Sequence, residues 1–175
     1  MKYKEQMATA SDKPKSSKNR ISKDEYYMTL AKTVSSRSTC IRRQYGAIIV
    51  SKGDHILSTG YNGAARGELH CLNLGCERER LNVPKGERYE LCVSVHAEAN
   101  AIIQAARGGA SIDGAKLYVN GAPCKMCWRL IKNAGIAEVI YINDDPESES
   151  FGRMLKMNPQ SIILTNIKES TRENC

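Results

Sequence analysis

No stretch of this 175-residue chain approaches the roughly 20 consecutive apolar residues that a membrane-spanning helix needs. The first residues, MKYKEQMATASDKPKSSKNR, lack the apolar core of a secretory signal, so the expected location is the cytoplasm. No internal repeat is present. The seven cysteines (Cys40, Cys71, Cys76, Cys92, Cys124, Cys127 and Cys175) are an odd number, which argues against a closed disulfide framework. In a cytosolic chain such residues point to metal binding or catalysis instead.

What is present suits one compact domain with tails. Hydrophobic residues make up 41% of the chain and charged residues 26%, ordinary values for a globular protein. A chain of this size buries roughly 70% of its unfolded surface, enough for a core without cross-links. The net charge is +7, much of it in residues 1–20, where Lys2, Lys4, Lys13, Lys15, Lys18 and Arg20 outnumber Glu5 and Asp12. A basic Ser- and Lys-rich leader with few large apolar residues reads first as a solvated, disordered tail and only second as a nucleic-acid contact. The expected organisation is a tail over 1–20, a folded domain over 21–168 and a short tail over 169–175.

Within the domain, Tyr26, Leu30 and Val34 recur at intervals of four, and Ser22 with Glu25 resembles a capping box, predicting a helix over 22–35. The β-branched run 46–50, the Lys52-Gly53-Asp54 turn and residues 55–59 predict a hairpin. Residues 60–94 are irregular, rich in glycine, and contain three cysteines; a loop that long inside a compact domain is functional or tied down by something. Beyond it, helices are predicted over 97–107, 124–133 and 148–157, and strands over 116–120, 139–142 and 161–165. The alternation predicts an α/β domain with a mixed central sheet covered by helices.

Two short stretches carry chemistry. His96-Ala97-Glu98 opens one predicted helix and Pro123-Cys124-Lys125-Met126-Cys127 opens the next. Cysteines at i and i+3 share one helix face, so both sulfurs can reach one ion. A helix N-terminus also favours thiolates. With His96 as third ligand, a zinc tetrahedron keeps its fourth position for water, the arrangement of a catalytic rather than a structural site. Glu98 is placed to exchange a proton with that water without ligating the metal. Singly, each piece has an ordinary reading: a redox CxxC, a core histidine, a first-turn glutamate, a helix-initiating proline. In this order they match the HxE…PCxxC signature of zinc base deaminases.

The sequence resembles the deoxycytidylate (dCMP) deaminases, including the late-competence operon members. The resemblance rests on Cys40-Ile-Arg42-Arg43-Gln-Tyr-Gly46 leading into the first strand, on Gly60-Tyr-Asn62-Gly63, on Val95-His96-Ala97-Glu98-Ala-Asn100, and on Gly121-Ala-Pro123-Cys124 through Cys127. It implies a three-layer α/β/α fold of the cytidine-deaminase type. It also implies a catalytic Zn2+ on His96, Cys124 and Cys127, with Glu98 as proton donor and acceptor in conversion of dCMP to dUMP and ammonia, a step that feeds thymidylate synthesis. Asn62 would hydrogen-bond the sugar, although Asn-Gly also suits a turn with left-handed backbone. Backbone at Ala97 and Cys124 would read the base edge, and Arg42, Arg43 and Arg66 are candidate phosphate contacts. Family habit adds a homo-oligomer, commonly a hexamer, and dCTP and dTTP as effectors. The chain departs from the family at Ala65, where proline is usual, which puts effector regulation in doubt.

Cys40, Cys71, Cys76 and Cys92, with His70 as substitute, form a candidate second, structural zinc site. A metal there would order the long 60–94 segment by contributing folding energy. Rival readings are a deaminase of another base (dCTP, cytidine, a pterin or purine, or a transfer-RNA base) and a non-catalytic, zinc-stabilised binding module. The carboxylate of Glu98 speaks against the module, because a structural metal site has no need of it.

Overall fold

The computed structural model describes residues 20–84, 86–142 and 163–166. The basic leader, the predicted helix over 148–157 and the C-terminal tail fall outside them. In order come α1 (Lys23–Ser35), β1 (Gly46–Val50), β2 (Ile56–Tyr61), β3 (Gly63–Ala64), α2 (Cys71–Leu74), α3 (Glu77–Arg80), a 3-10 turn (Tyr89–Leu91), β4 (Ser94–Val95), α4 (Ala97–Gly108), β5 (Lys116–Val119), α5 (Lys125–Asn133), β6 (Glu138–Tyr141) and β7 (Ile163–Asn166). None of the described helices is long and apolar enough to cross a membrane.

The main sheet runs β2-β1-β5-β6-β7. The hairpin β1–β2 and the pair β1–β5 are antiparallel, while β5–β6 and β6–β7 are parallel. All five residues of β1 are buried, because this strand is covered on both faces. On one face Ile48, Val50, Tyr118 and Ile140 meet Tyr27, Met28 and Ala31 of α1. On the other, Ala47, Ile49, Leu117, Val119, Val139 and Tyr141 meet Ala97, Ala101 and Ala105 of α4 and Cys127, Trp128 and Ile131 of α5. The result is the expected three-layer α/β/α arrangement.

The first helix starts as the sequence predicts: the Ser22 hydroxyl accepts from the Glu25 backbone N–H at 3.1 Å. Its inward face is rotated from the Tyr26–Leu30–Val34 stripe. Tyr26 is 47% exposed, and Tyr27, Met28, Ala31 and Ser35 are the buried positions. The cause is a close approach. A Cβ on Gly46 would lie 2.1 Å from the Ala31 carbonyl oxygen, so small residues of α1 seat against glycine and the larger side chains flank the contact. A matching approach holds α4 on β2, where a Cβ on Gly60 would lie 2.4 Å from both the Ala97 oxygen and the Ala101 nitrogen.

The 60–94 segment is largely irregular, as expected. It makes two four-residue helices, one 3-10 turn and the two-stranded ribbon β3–β4 that returns the chain to α4.

Candidate metal centre

The centre lies where the N-termini of α4 and α5 converge. His96 is the N-cap of α4 and Cys124 the N-cap of α5. The His96 Nδ1 lies 3.4 Å from the Sγ of Cys124 and 3.4 Å from that of Cys127. These three ligand atoms lie within 4.8 Å of one another, the only such group among the described residues. Cys127 sits one helical turn into α5, and its backbone N–H approaches the Cys124 sulfur at 3.5 Å. One nitrogen and two sulfurs, three ligands rather than four, are the donor set of zinc in its catalytic form.

The electrostatics favour metal binding. The Cys124 thiol is pushed down to about 4, first by its hydrogen bond from Cys127 and then by His96, against the cost of burial. Cys127 moves up, because it donates to Cys124 and is buried. The hydrogen-bonded pair therefore favours a thiolate beside His96. Burial alone would lower His96, but the Cys124 thiolate beside it outweighs burial and raises the imidazole. Glu98, only 5% exposed, is raised above the ordinary carboxyl value, chiefly by burial.

The surrounding frame is built from side-chain-to-backbone bonds. Asn62 is 5% exposed. Its Oδ1 accepts from the Tyr45 N–H at 2.7 Å and its Nδ2 donates to the Arg43 carbonyl at 2.8 Å. Neither Asn62 nor Gly63 adopts a left-handed backbone, so Asn62 clamps two loops together and is not a left-handed turn residue. Asn100 donates from Nδ2 to the Tyr61 carbonyl at 2.7 Å, tying α4 to the end of β2. Asn120 accepts from the Gly46 N–H at 2.7 Å and donates to the Gln44 carbonyl at 3.2 Å. Three asparagines thus fix the loops around the centre.

The other sequence candidates are placed less tightly. Ala97 is fully buried as the first residue of α4. Arg43 and Arg66 are exposed. Arg42 is half-buried, donating from Nη2 to the Val83 carbonyl at 3.3 Å. Cys40, Cys76 and Cys92 all lie near enough to the buried Cys71 to raise its thiol by charge, although burial is the larger cause. The four do not close into a group as tight as the first among the described residues. His70 is exposed at the N-cap of α2.

Two residues near the centre escaped the sequence reading. Tyr89 packs edge-on against the His96 ring, and Arg78 lies over Tyr89. Arg78 sits in the run Glu77-Arg-Glu-Arg80, which reads as a solvated helix surface, and no periodicity marks Tyr89.

The model of the cytidine and deoxycytidylate deaminase zinc-binding region matches residues 21–143. The chain belongs to this family. Among its relatives, the deoxycytidylate deaminase of Mycobacterium phage D29 is 41% identical over 124 residues, covering 67% of this chain and 92% of the relative. The ComE operon protein 2 of Bacillus subtilis is 37% identical over 125 residues, covering 71% of this chain and 61% of the relative. A crystal structure of the dCMP deaminase of cyanophage S-TIM5 in complex with dCMP and dUMP aligns with a TM-score of 0.64 at 29% identity, covering 82% of this chain and 95% of that one. The chain spans 37% and 43% of the length of the Schizosaccharomyces pombe and Saccharomyces cerevisiae deoxycytidylate deaminases it matches. The matching family model is that of a zinc-binding region, and His96, Cys124 and Cys127 are the described residues that could hold a metal ion together.

Proposed function

We propose that the chain deaminates dCMP to dUMP. The observation that carries this reading is the buried Glu98 carboxyl beside a centre of three ligands. A site that only holds the fold together has no use for that carboxyl. Relatives along the length of the domain named as deoxycytidylate deaminases support the substrate.

Zinc at the centre supplies Lewis acidity, which lowers the pKa of a water to about 7. Glu98 takes the proton from the attacking oxygen as it adds to C4 of the pyrimidine. The same carboxyl passes that proton to N3, then takes the second proton of the added oxygen and gives it to the exocyclic nitrogen. The C4–N bond breaks, ammonia leaves, and the oxygen remains as the C4 carbonyl. A carboxyl raised by burial is suited to this exchange, since it holds a proton more readily than an ordinary carboxyl. Asn62 keeps one further donor and acceptor capacity for the sugar beyond its two loop bonds. Ala97 backbone reads the base, and Arg43 and Arg66, exposed on the flanking loops, are the candidate phosphate contacts.

The same reading extends to a cytoplasmic homo-oligomer, to dCTP and dTTP as effectors, and to a structural zinc on Cys40, Cys71, Cys76 and Cys92. The nearness of Cys40, Cys76 and Cys92 to the buried Cys71 supports the last point. Metal analysis of the purified protein checks it: two zinc ions per chain support the second site and one removes it.

Ammonia release by zinc-loaded protein with dCMP, dCTP, CMP and deoxycytidine tests the function. The expected result is strong preference for dCMP. Equal turnover of deoxycytidine would remove the phosphate from the recognition. No release from any of the four would move the substrate to another base.

A further inference from the structure

The irregular segment between β3 and β4 contributes a column of side chains that ends on a metal ligand. The Arg78 Cζ lies 4.8 Å from the Tyr89 ring centroid. The Tyr89 ring meets the His96 ring edge-on, with centroids 4.9 Å apart and planes at 76°. Arg78 is 8% exposed; its Nη2 donates to the Pro84 carbonyl at 3.1 Å, and its Nε is buried without a partner. Among the described residues no carboxylate forms an ion pair with it. A buried cation without an ion pair is costly; Glu90 is near enough for its charge to act on Arg78, and the face of Tyr89 receives the guanidinium directly, a contact strongest when desolvated. The backbone is bent to place the ring: Arg88, immediately before Tyr89, is held at φ 49° and ψ 47°, a left-handed conformation that residues with a Cβ seldom adopt.

A metal-ligating histidine is usually oriented by a hydrogen bond from its second ring nitrogen to a carboxylate, carbonyl or water. Among the described residues, the hydrogen-bond contacts of the His96 ring run only from Nδ1 to the two sulfurs. The Tyr89 ring, backed by Arg78, packs against the His96 ring.

We propose that Arg78 and Tyr89 are a positioning pair that sets the His96 ring for the metal, making the 60–94 segment part of the metal centre. This rests on the reading of His96, Cys124 and Cys127 as the zinc site.

The test uses the full chain loaded with zinc or cobalt(II), in the variants Tyr89→Phe, Tyr89→Leu, Arg78→Lys and Arg78→Met. Zinc affinity is read by chelator competition, ligand geometry by the cobalt absorption bands, and kcat and KM with dCMP. Tyr89→Phe is expected to match the parent protein, because the ring and not the hydroxyl is used. Tyr89→Leu and Arg78→Met are expected to weaken zinc roughly 10–100-fold and to shift the cobalt bands, with kcat falling and KM steady. Arg78→Lys keeps a cation over the ring and should restore most of the affinity. Arg78→Met preserves volume, so it reports on the contact even if Tyr89→Leu fails to fold. Unchanged zinc affinity and cobalt bands in Arg78→Met would overturn the proposal. If that variant instead raised only KM for dCMP, Arg78 would serve the substrate phosphate and the positioning role would fall. A parent protein that bound neither metal would defeat the zinc reading itself, and this would be seen before any variant was made.

Discussion

The Nδ1 of His96 and the Sγ of Cys124 face each other at 3.4 Å, although they belong to different helices and 28 positions separate them in the chain. Each is the N-cap of its helix, so the sequence places them by starting two helices at one end of one sheet. The cap positions have extended backbone, and the side chains leave the helix axis toward the shared gap. Charge in that gap is stabilised by both helix dipoles.

The first consequence concerns the ligands. Cys127→Ser removes a sulfur that is 2% exposed and replaces it with a harder, protonated oxygen. Zinc affinity should fall by more than the roughly 10–100-fold typical of lesions outside the ligand set. Because zinc binds the folded state, the parent protein at zinc about 100 times its Kd should gain about 2.7 kcal/mol over the chelated form. Melting curves with and without chelator would show that gap in the parent and little of it in the variant.

Glu98→Gln keeps the shape of the side chain and removes the proton exchange. Turnover should fall by about 10²–10⁴-fold, while zinc content per chain stays that of the parent. Ammonia release and metal analysis on the same sample check both halves. Full activity in the variant would discard the mechanism, since no other buried carboxylate is found among the described residues.

Cys124 gives a pH-dependent signature in the metal-free protein. Its thiol is pushed down to about 4 from an ordinary 9.0, so folding keeps it ionised across the interval between. The stability this ionisation contributes is present above the unfolded value and is lost as pH falls through about 4. At about pH 6, an alkylating reagent should modify Cys124 faster than ordinary thiols, and added zinc should block it. Mass spectrometry of the labelled peptides measures this. Equal labelling of Cys124 and Cys76 would mean that the thiolate is not held there.

Much of this site was legible because its residues sit at element boundaries that short-range patterns mark. Ser22 before α1, His96 before α4 and Cys124 before α5 are all N-caps, and local spacing is enough to find them. The layers were legible too, since β1 is uniformly apolar and the helices repeat at helical spacing. What was not legible depends on contacts between distant segments. Tyr26 looked like a core residue until Gly46 let α1 approach closely enough to turn Tyr27 inward. Asn62 reads from the sequence as a sugar contact, with a turn as the alternative, and its bonds to backbone at Arg43 and Tyr45 span a gap that no local pattern predicts. Arg78 and Tyr89 belong to a segment without periodicity, so only the fold brings them to His96.

Gly60 tests whether the fold itself sets the metal ligands. It lies in β2, directly beneath the first turns of α4, and a Cβ there would come within 2.4 Å of the Ala97 carbonyl oxygen and the Ala101 nitrogen. Both obstacles are backbone, so relief requires the helix to move rather than a side chain to swing away. Gly60→Ala should therefore cost about 1–3 kcal/mol, as overpacking does. For a chain of this size that corresponds to a melting temperature lower by roughly 2–12 °C. The displaced turn is the one His96 caps, so zinc affinity should fall with stability. Gly108→Ala is the control on the same helix: a Cβ there meets nothing within 4 Å, and alanine is the better helix former. It should leave zinc affinity unchanged and stability equal or higher. If Gly60→Ala lowered stability without touching zinc affinity, the approach of β2 to α4 would matter for the core alone, and the position of His96 would have to be set from its other side, by Tyr89 and the segment that carries it.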